Sequence, residues 1–324
     1  MQMYPLLLNP RFCPKVWGGQ RLTSYFPSAA ALSLPLGEVW AVHGDLRVAN
    51  GLYAGQVLDD LWKRFPLELS GTAAADGCFP LLVKWLDTSD WLSVQVHPDD
   101  EQARLLEGRP DASGKVECWY ILSTADEGEL ICGCNTEEDV QQIASLSGKE
   151  LLAHLHRQRV RPGDFLFLPA GTIHALGPGI TLLEVQQSSD LTYRFYDWDR
   201  TNTDGAERPL HIAKARQAWL HSQRIGSHSG WRPRTALGEL LTANTYFAQE
   251  VVEGSGSWCW DIDGLEIVAV LRGRCQALLG EASAELAAGG VALFPAAAKS
   301  ASLSSLSENV QFVRIMCPAR AGLS

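Results

Sequence analysis

The chain reads as a mainly β protein, two β domains with a few helical insertions. Three observations point there. Most apolar residues fall in short runs broken by Gly, Pro, Asp and Asn, the punctuation of strands rather than of long helices. Several runs alternate apolar and polar residues, the period of a half-buried strand. One pattern also occurs twice, as GDFLFLPAGTIH at 163–174 and GGVALFPAAAKS at 289–300. Each copy has a glycine, an apolar run, then Pro-Ala six residues on. Laid over each other, the copies set His174 against Ser300, so a candidate ligand stands only in the first.

The elements follow in order. GQVLDDLWKRF (55–65) has helical spacing at Val57, Leu58, Leu61, Trp62 and Phe65. Strand-like runs occupy 79–86 and 91–97. HPDDEQARLLEG (97–108) places Pro98 at a first helical position, acids in the first turn and Gly108 at the end. A strand is expected at 116–122. Thr136 to Asp139 forms an N-terminal cap ahead of Val140, Ile143 and Ala144. Further strands are expected at 164–168, 180–187 and 191–196, and a helix over LHIAKARQAWLH (210–221). The aperiodic stretch SQRIGSHSGWRP (222–233) marks a junction, giving domains 1–228 and 229–324.

Composition limits function. With 324 residues, 46% hydrophobic and 20% charged, the chain is globular and long enough for two domains. A formal charge of −10, from 27 basic and 37 acidic residues, argues against a nucleic-acid or anionic-membrane surface. A local basic pocket for a small anion remains compatible with it. The start, MQMYPLLLNPRF, lacks the basic region of a secretory leader, and no apolar run approaches the ~18–20 residues of a membrane span. The close pair Cys132-Gly-Cys134 has no second pair to complete a zinc site. Eight scattered cysteines therefore suggest reduced thiols in a cytoplasmic protein, and no obligate protein partner is evident.

In LSVQVH (92–97), Leu92, Val94 and Val96 share one side, Ser93, Gln95 and His97 the other. In 163–174, Gly163-Asp164 turns into a strand, Pro169 and Gly171 end it, and His174 follows. That spacing resembles the second signature of the cupin barrels, so the expected fold is two cupin-type jelly-roll barrels with helical insertions. Cupins draw their other metal ligands from a His-x-His followed by Glu. The matching strand here offers Gln95-Val96-His97, with Glu117 beyond the 98–107 helix. A mixed N/O set suits zinc, and equally iron or manganese. Blander roles stand beside these: a helix cap for His97, a loop for His174, a surface pair with Lys115 for Glu117. His154-x-His156 is read as solvated surface.

FPLLVKWLD, LSVQVHPDD, GKVECWYIL, PGDFLFLPAGTIHAL, LLEVQQSSDLTYRFYDWDR and LHIAKA together resemble the type I mannose-6-phosphate isomerases in their short bacterial form, in the same order from about residue 5 to 216. The resemblance implies His97, Glu117 and His174 as ligands of one divalent ion, normally Zn2+. Gln95 matches a fourth ligand of longer members. It also implies Arg194 as the active-site arginine and Lys84, Ser93, Lys115 and Glu184 as pocket residues. The implied reaction interconverts mannose 6-phosphate and fructose 6-phosphate through a cis-enediol. Arg194 would stabilise charge, Lys84 and Ser93 bind substrate, and Lys115 and Glu184 take part in catalysis. Phosphate holding or proton movement is open to either lysine. No substrate contact is placed in AVHGDLRVAN (41–50). The alternatives are another metal cupin enzyme, such as a non-haem iron dioxygenase, and a non-catalytic sugar-phosphate-binding cupin. At single residues, the alternative is a structural Glu184–Arg194 ion pair.

Overall fold

A computed structural model describes residues 2–32, 35–72, 77–125, 128–143, 145–201, 205, 207–219 and 232–317. The junction predicted near 228 lies outside them, as do Ala144 and the last two residues of the 210–221 helix. The chain forms two compact units that interleave along the sequence. One comprises Phe12–Trp40 and Leu81–Ser229, the other Met1–Arg11, Ala41–Pro80 and Gly230–Ser324. The N-terminal strand Leu6–Leu7 belongs with the C-terminal residues because it pairs antiparallel with Val291–Phe294.

The first unit is built from two sheets. A six-stranded sheet runs in the order Arg11–Gly19, Leu36–Val42, Leu81–Asp87, Ile180–Gln187, Glu117–Thr124, Phe165–Leu168. A five-stranded sheet runs Tyr193–Tyr196, Val94–Val96, His174–Leu176, Gly128–Cys134, Leu155–Val160. The expected mainly β, two-fold architecture is present. In hydrogen-bonding terms, however, the described strands form separate sheets, not a closed barrel. Trp17, Leu86, Trp119, Ile121, Leu166, Leu168 and Leu182 of the larger sheet meet Leu130, Cys132, Val160 and Leu176 of the smaller in one buried cluster.

The other face of the smaller sheet is covered too. Val94, Val96, Ile131, Ala175, Tyr193 and Phe195 pack with Ile143, Leu151, Ala215 and Ala218 of the helical segments. Regular pairing spans only Val94–Val96, so Leu92 turns away from those two valines into the inter-sheet cluster, contrary to the simple alternation. A second deviation concerns the helix Asp100–Glu107. Asp99 caps it through the Gln102 N–H, with the Gln102 side chain returning the bond. Pro98 therefore precedes the cap instead of opening the helix.

The second unit repeats the plan. Its sheets run Leu6–Leu7, Val291–Phe294, Glu266–Arg272, Val310–Met316, Ala248–Gly254, Glu239–Ala243 and Ser257–Asp261, Ser300–Ser305, Arg274–Leu279, Ala282–Ala287. The sequence echo is real in structure. Gly163 and Gly289 both take left-handed backbone, with φ of 89° and 90°, ahead of four-residue strands. Trp260 joins the core of this unit and Trp258 packs on it.

Leu182 sits fully buried between the two sheets of the first unit. Leu182→Ala is expected to lower stability by about 2–5 kcal/mol in equilibrium denaturation. A loss well under 1 kcal/mol would show that the sheets are not packed on one another there.

Candidate metal centre

Strand register delivers the polar residues to one place. Across the larger sheet, Lys84 pairs with Glu184 and Glu184 with Trp119; one step along, Gln186 pairs with Glu117. These side chains share the face carrying Leu86, Leu182 and Ile121, so that face is apolar at one end and charged at the other. Across the smaller sheet, Arg194 pairs with Gln95, Gln95 with His174, and His174 with Cys132. The Gly171 N–H donates to the His97 carbonyl at 2.8 Å, tying the two histidine-bearing segments together.

His97, Glu117 and His174 converge as the sequence predicts. One ligand atom from each lies within 4.8 Å of the others, and the three residues are 1–2% exposed. His174 Nε2 is 3.2 Å from Glu117 Oε1 and His97 Nε2 is 3.6 Å from Oε2. On the far side of each ring, Nδ1 meets a backbone carbonyl: Leu191 at 2.7 Å for His97, Thr172 at 2.9 Å for His174. Each Nδ1 therefore carries the proton and donates it, which leaves both Nε2 lone pairs turned inward. Both Glu117 oxygens are buried without a hydrogen bond. The Lys115 ammonium comes within 2.8 Å of Oε2, an ion-pair distance, but off the angle a hydrogen bond requires. Two inward imidazole lone pairs and a carboxylate with open lone pairs are a donor set that fits a divalent cation.

Glu117, His97 and Lys115 are mutually dependent. Burial alone would raise the Glu117 pKa, but Lys115 and the two histidines hold it well below the carboxylate range. Burial, with Lys115 beside it, keeps His97 neutral well below the ordinary imidazole value. Lys115 Nζ also donates to His97 Nε2 at 3.1 Å and stands 3.7 Å from Glu184 Oε1. The Lys115–Glu117 pair suggested by the sequence exists, but it is buried, not on the surface. Glu184 is pushed up to about 7, chiefly by burial. Its ion-pair partner among the described residues is Lys115, not Arg194, which removes the structural Glu184–Arg194 pair.

Sequence reasoning missed Glu38. It lies buried on Leu36–Val42, accepts from Trp40 Nε1 at 2.8 Å and meets Lys15 Nζ at 3.4 Å. Burial opposes ionisation of Glu38, yet Lys84 and Lys15 bring its pKa below the usual value. Reciprocally, Lys84 is raised against burial by Glu184 and Glu38, and its Nζ stands 5.5 Å from the Trp40 ring centre. The signal was available: Leu36, Glu38 and Trp40 alternate in the same way as Leu182, Glu184 and Gln186. It lies just before the 41–50 stretch.

Arg194 is half-buried, with Nε lacking a partner. His211 clamps its backbone from both sides, donating its N–H to the Arg194 carbonyl at 2.8 Å and accepting the Arg194 N–H on Nδ1 at 3.3 Å. A register shift after Arg194 sends Tyr196 into the opposite cluster, so Tyr196 does not share the face of Arg194 as strict alternation would have it. Ser93 Oγ donates to Gln95 Oε1 at 2.9 Å, and Gln95 Nε2 lies 3.3 Å from His174 Nε2. Of the rejected pair, His154 contacts Asp139 at 2.7 Å, away from this cluster.

Comparison with known proteins agrees. Residues 6–117 match the family described as phosphomannose isomerase type I, catalytic domain. A probable mannose-6-phosphate isomerase, GmuF, of Bacillus subtilis (strain 168) is 47% identical over 219 residues, covering 65% of this chain and 67% of that one. The putative mannose-6-phosphate isomerase YvyI of the same organism is 40% identical over 272 residues, covering 82% and 81%. A crystal structure of the mannose 6-phosphate isomerase from Bacillus subtilis aligns with a TM-score of 0.84 at 31% identity, over 96% of this chain and 99% of that one. A zinc-bound mannose 6-phosphate isomerase shares the fold, with a TM-score of 0.77 at 16% identity over 97% of this chain and all of its own. The chain belongs to the type I phosphomannose isomerase family.

Proposed function

We propose that this isomerase interconverts mannose 6-phosphate and fructose 6-phosphate, using one zinc ion per chain held by His97, Glu117 and His174. The observation that carries the reading is the convergence of His97, Glu117 and His174, with the buried Glu117 carboxylate hydrogen-bonded on neither oxygen and Lys115 beside it at 2.8 Å. The zinc-bound family structure supports the choice of metal. Gln95 is the fourth ligand in this reading. Its amide presents oxygen when its two ends are exchanged, and Ser93 Oγ then accepts the amide N–H. When bound, the ion polarises sugar oxygens and lowers the cost of negative charge on them.

The protein's own groups do the rest. An aldose becomes a ketose when one proton passes from C2 to C1 and another from O2 to O1 through a cis-enediol, so acid–base groups must lie over that edge. Glu184 and Lys115, 3.7 Å apart and buried, supply them. The Arg194 guanidinium stays protonated and stabilises developing charge. Lys84 and Ser93 face the substrate. Glu38, with Trp40 below the ammonium, holds Lys84 in position. Lys15, Lys84, Lys115 and Arg194 give an acidic chain a short-range basic lining for a phosphosugar. All eight cysteines are free, which suits action in the reducing cytoplasm.

A coupled assay of mannose 6-phosphate conversion tests the reading. Activity is expected to vanish on chelation, to return with zinc and to persist without oxygen, an outcome that separates it from an oxygenase. His174→Ala is expected to lose both metal and turnover; an active, demonstrably metal-free variant would sink the metal assignment. Arg194→Ala is expected to keep its metal and lose more than tenfold in rate, roughly 1.4 kcal/mol or more. Near-normal turnover there would remove Arg194 from the mechanism. Glu38→Gln is expected to keep its metal and fold, and to lower kcat/KM about tenfold by freeing Lys84. An unchanged kcat/KM would make Glu38 structural.

A further inference from the structure

The two units can be compared position by position through their strand pairing. In the first, Glu117 opens its strand opposite Leu168, the last residue of Phe165–Leu168. In the second, Glu266 opens its strand opposite Phe294, the last residue of Val291–Phe294. Glu266 is therefore the counterpart of Glu117. The neighbouring strands agree. Gln186 pairs with Glu117 and Met316 with Glu266, so Glu184, two residues before Gln186, corresponds to Arg314. Lys84 pairs with Glu184 and Glu250 with Arg314, so Lys84 corresponds to Glu250.

The smaller sheets match as well, with a correction to the sequence overlay. Ser300 is exposed, whereas Ala301 is buried in the inter-sheet core, as His174 is. The second copy has one more residue in its turn, where Lys299 takes a left-handed φ of 62°. Ala301 is thus the inward counterpart of His174. Its cross-strand neighbour, Trp260, stands where Gln95 stands beside His174.

The same frame is satisfied in opposite ways. Glu117 has no hydrogen bond on either oxygen. Glu266 has both oxygens filled: Arg314 donates from Nε to Oε2 at 2.6 Å and from Nη2 to Oε1 at 2.8 Å, and Trp260 Nε1 donates to Oε2 at 2.6 Å. Arg314 Nη1 takes Glu250 at 2.7 Å, and the guanidinium lies 5.3 Å from the centre of the Trp260 ring. The Lys84–Glu184 pair has become Glu250–Arg314, with the charges exchanged.

We infer that the C-terminal unit carries a closed copy of the metal centre, in which Arg314 replaces the metal ion as the cation on Glu266 and Trp260 fills a ligand's place. The unit consequently takes up neither metal nor phosphosugar. This rests on reading the first centre as a metal site, and the experiment separates the two. Full-length protein is stripped with chelator, reloaded with Mn2+ or Zn2+, desalted and analysed for metal per chain.

Wild type is expected to retain one equivalent; none would overturn the first centre, not this inference. Arg314→Met leaves Glu250 and Glu266 without their cation. It is expected to take a second equivalent and to gain more melting temperature from added metal than wild type does. Adding Trp260→Gln and Ala301→His to Arg314→Met, which frees Glu266 and restores the residue types of Gln95 and His174, is a second route to the same gain. One equivalent in both variants, with isomerase activity retained as the sign of folding, overturns the inference. A variant recovered only when refolded with metal supports it; one that is insoluble with and without metal counts against it.

Discussion

A carboxylate taken out of water must be given cations or hydrogen bonds, or it will not stay ionised. Glu117 is almost wholly buried, is held ionised chiefly by Lys115, and has no hydrogen bond to either oxygen. Much of the first unit follows from that imbalance. Both histidines spend their outer nitrogens on backbone carbonyls, which fixes their inner lone pairs on the carboxylate. Lys115 and Glu184 are drawn in behind it, and Lys84 and Glu38 behind them. Remove the carboxylate, and buried Lys115 keeps only the longer contact to Glu184, at 3.7 Å, as its ion pair among the described residues.

The surroundings make those charges count. One end of the inward face is filled by Leu86, Trp119, Ile121 and Leu182, and this apolar packing keeps water from the other end. Electrostatic interactions strengthen where water is excluded, so a few buried groups set a stronger local field than the chain's net charge suggests. Opposite signs alternate from neighbour to neighbour: Lys15, Glu38, Lys84, Glu184, Lys115, Glu117. Such a set can exchange a proton internally without creating an isolated buried charge. An enolising isomerase needs that property at the reacting edge.

How far the sequence showed this depends on which physical rule was at work. Side-chain parity along strands is local, so Gln95 and His97 beside an apolar row, and Glu184 within one, were legible before any fold was known. The glycine and proline turn ahead of His174 is local too, and the structure bears it out. Glu38 obeyed the same parity but carried no turn or ligand motif to draw attention to it. Other features depended on three dimensions. The register shift beyond Arg194 and the departure of Leu92 from its strand break a period that sequence alone presents as regular. The interleaving of the units depends on pairing between residues far apart, Leu6 with Leu293, which no local pattern encodes.

The repeat carries the same constraint into the second unit, where it is met without an exchangeable ion. Glu266 occupies the position of Glu117 and faces the same desolvation penalty. A guanidinium answers it with two bonds to one carboxylate and a third to Glu250, and an indole N–H supplies another. Every lone pair so used is withdrawn from metal binding while the pair is made, because the arginine stays protonated at neutral pH and two of its contacts are to this one carboxylate. The centre around Glu117 lacks that bidentate closure: a single ammonium, Lys115, stands beside its carboxylate, and neither oxygen is hydrogen-bonded. One frame thus gives a fully bonded ion pair when its buried carboxylate is matched by a guanidinium, and a candidate metal centre when the same carboxylate is left short of partners.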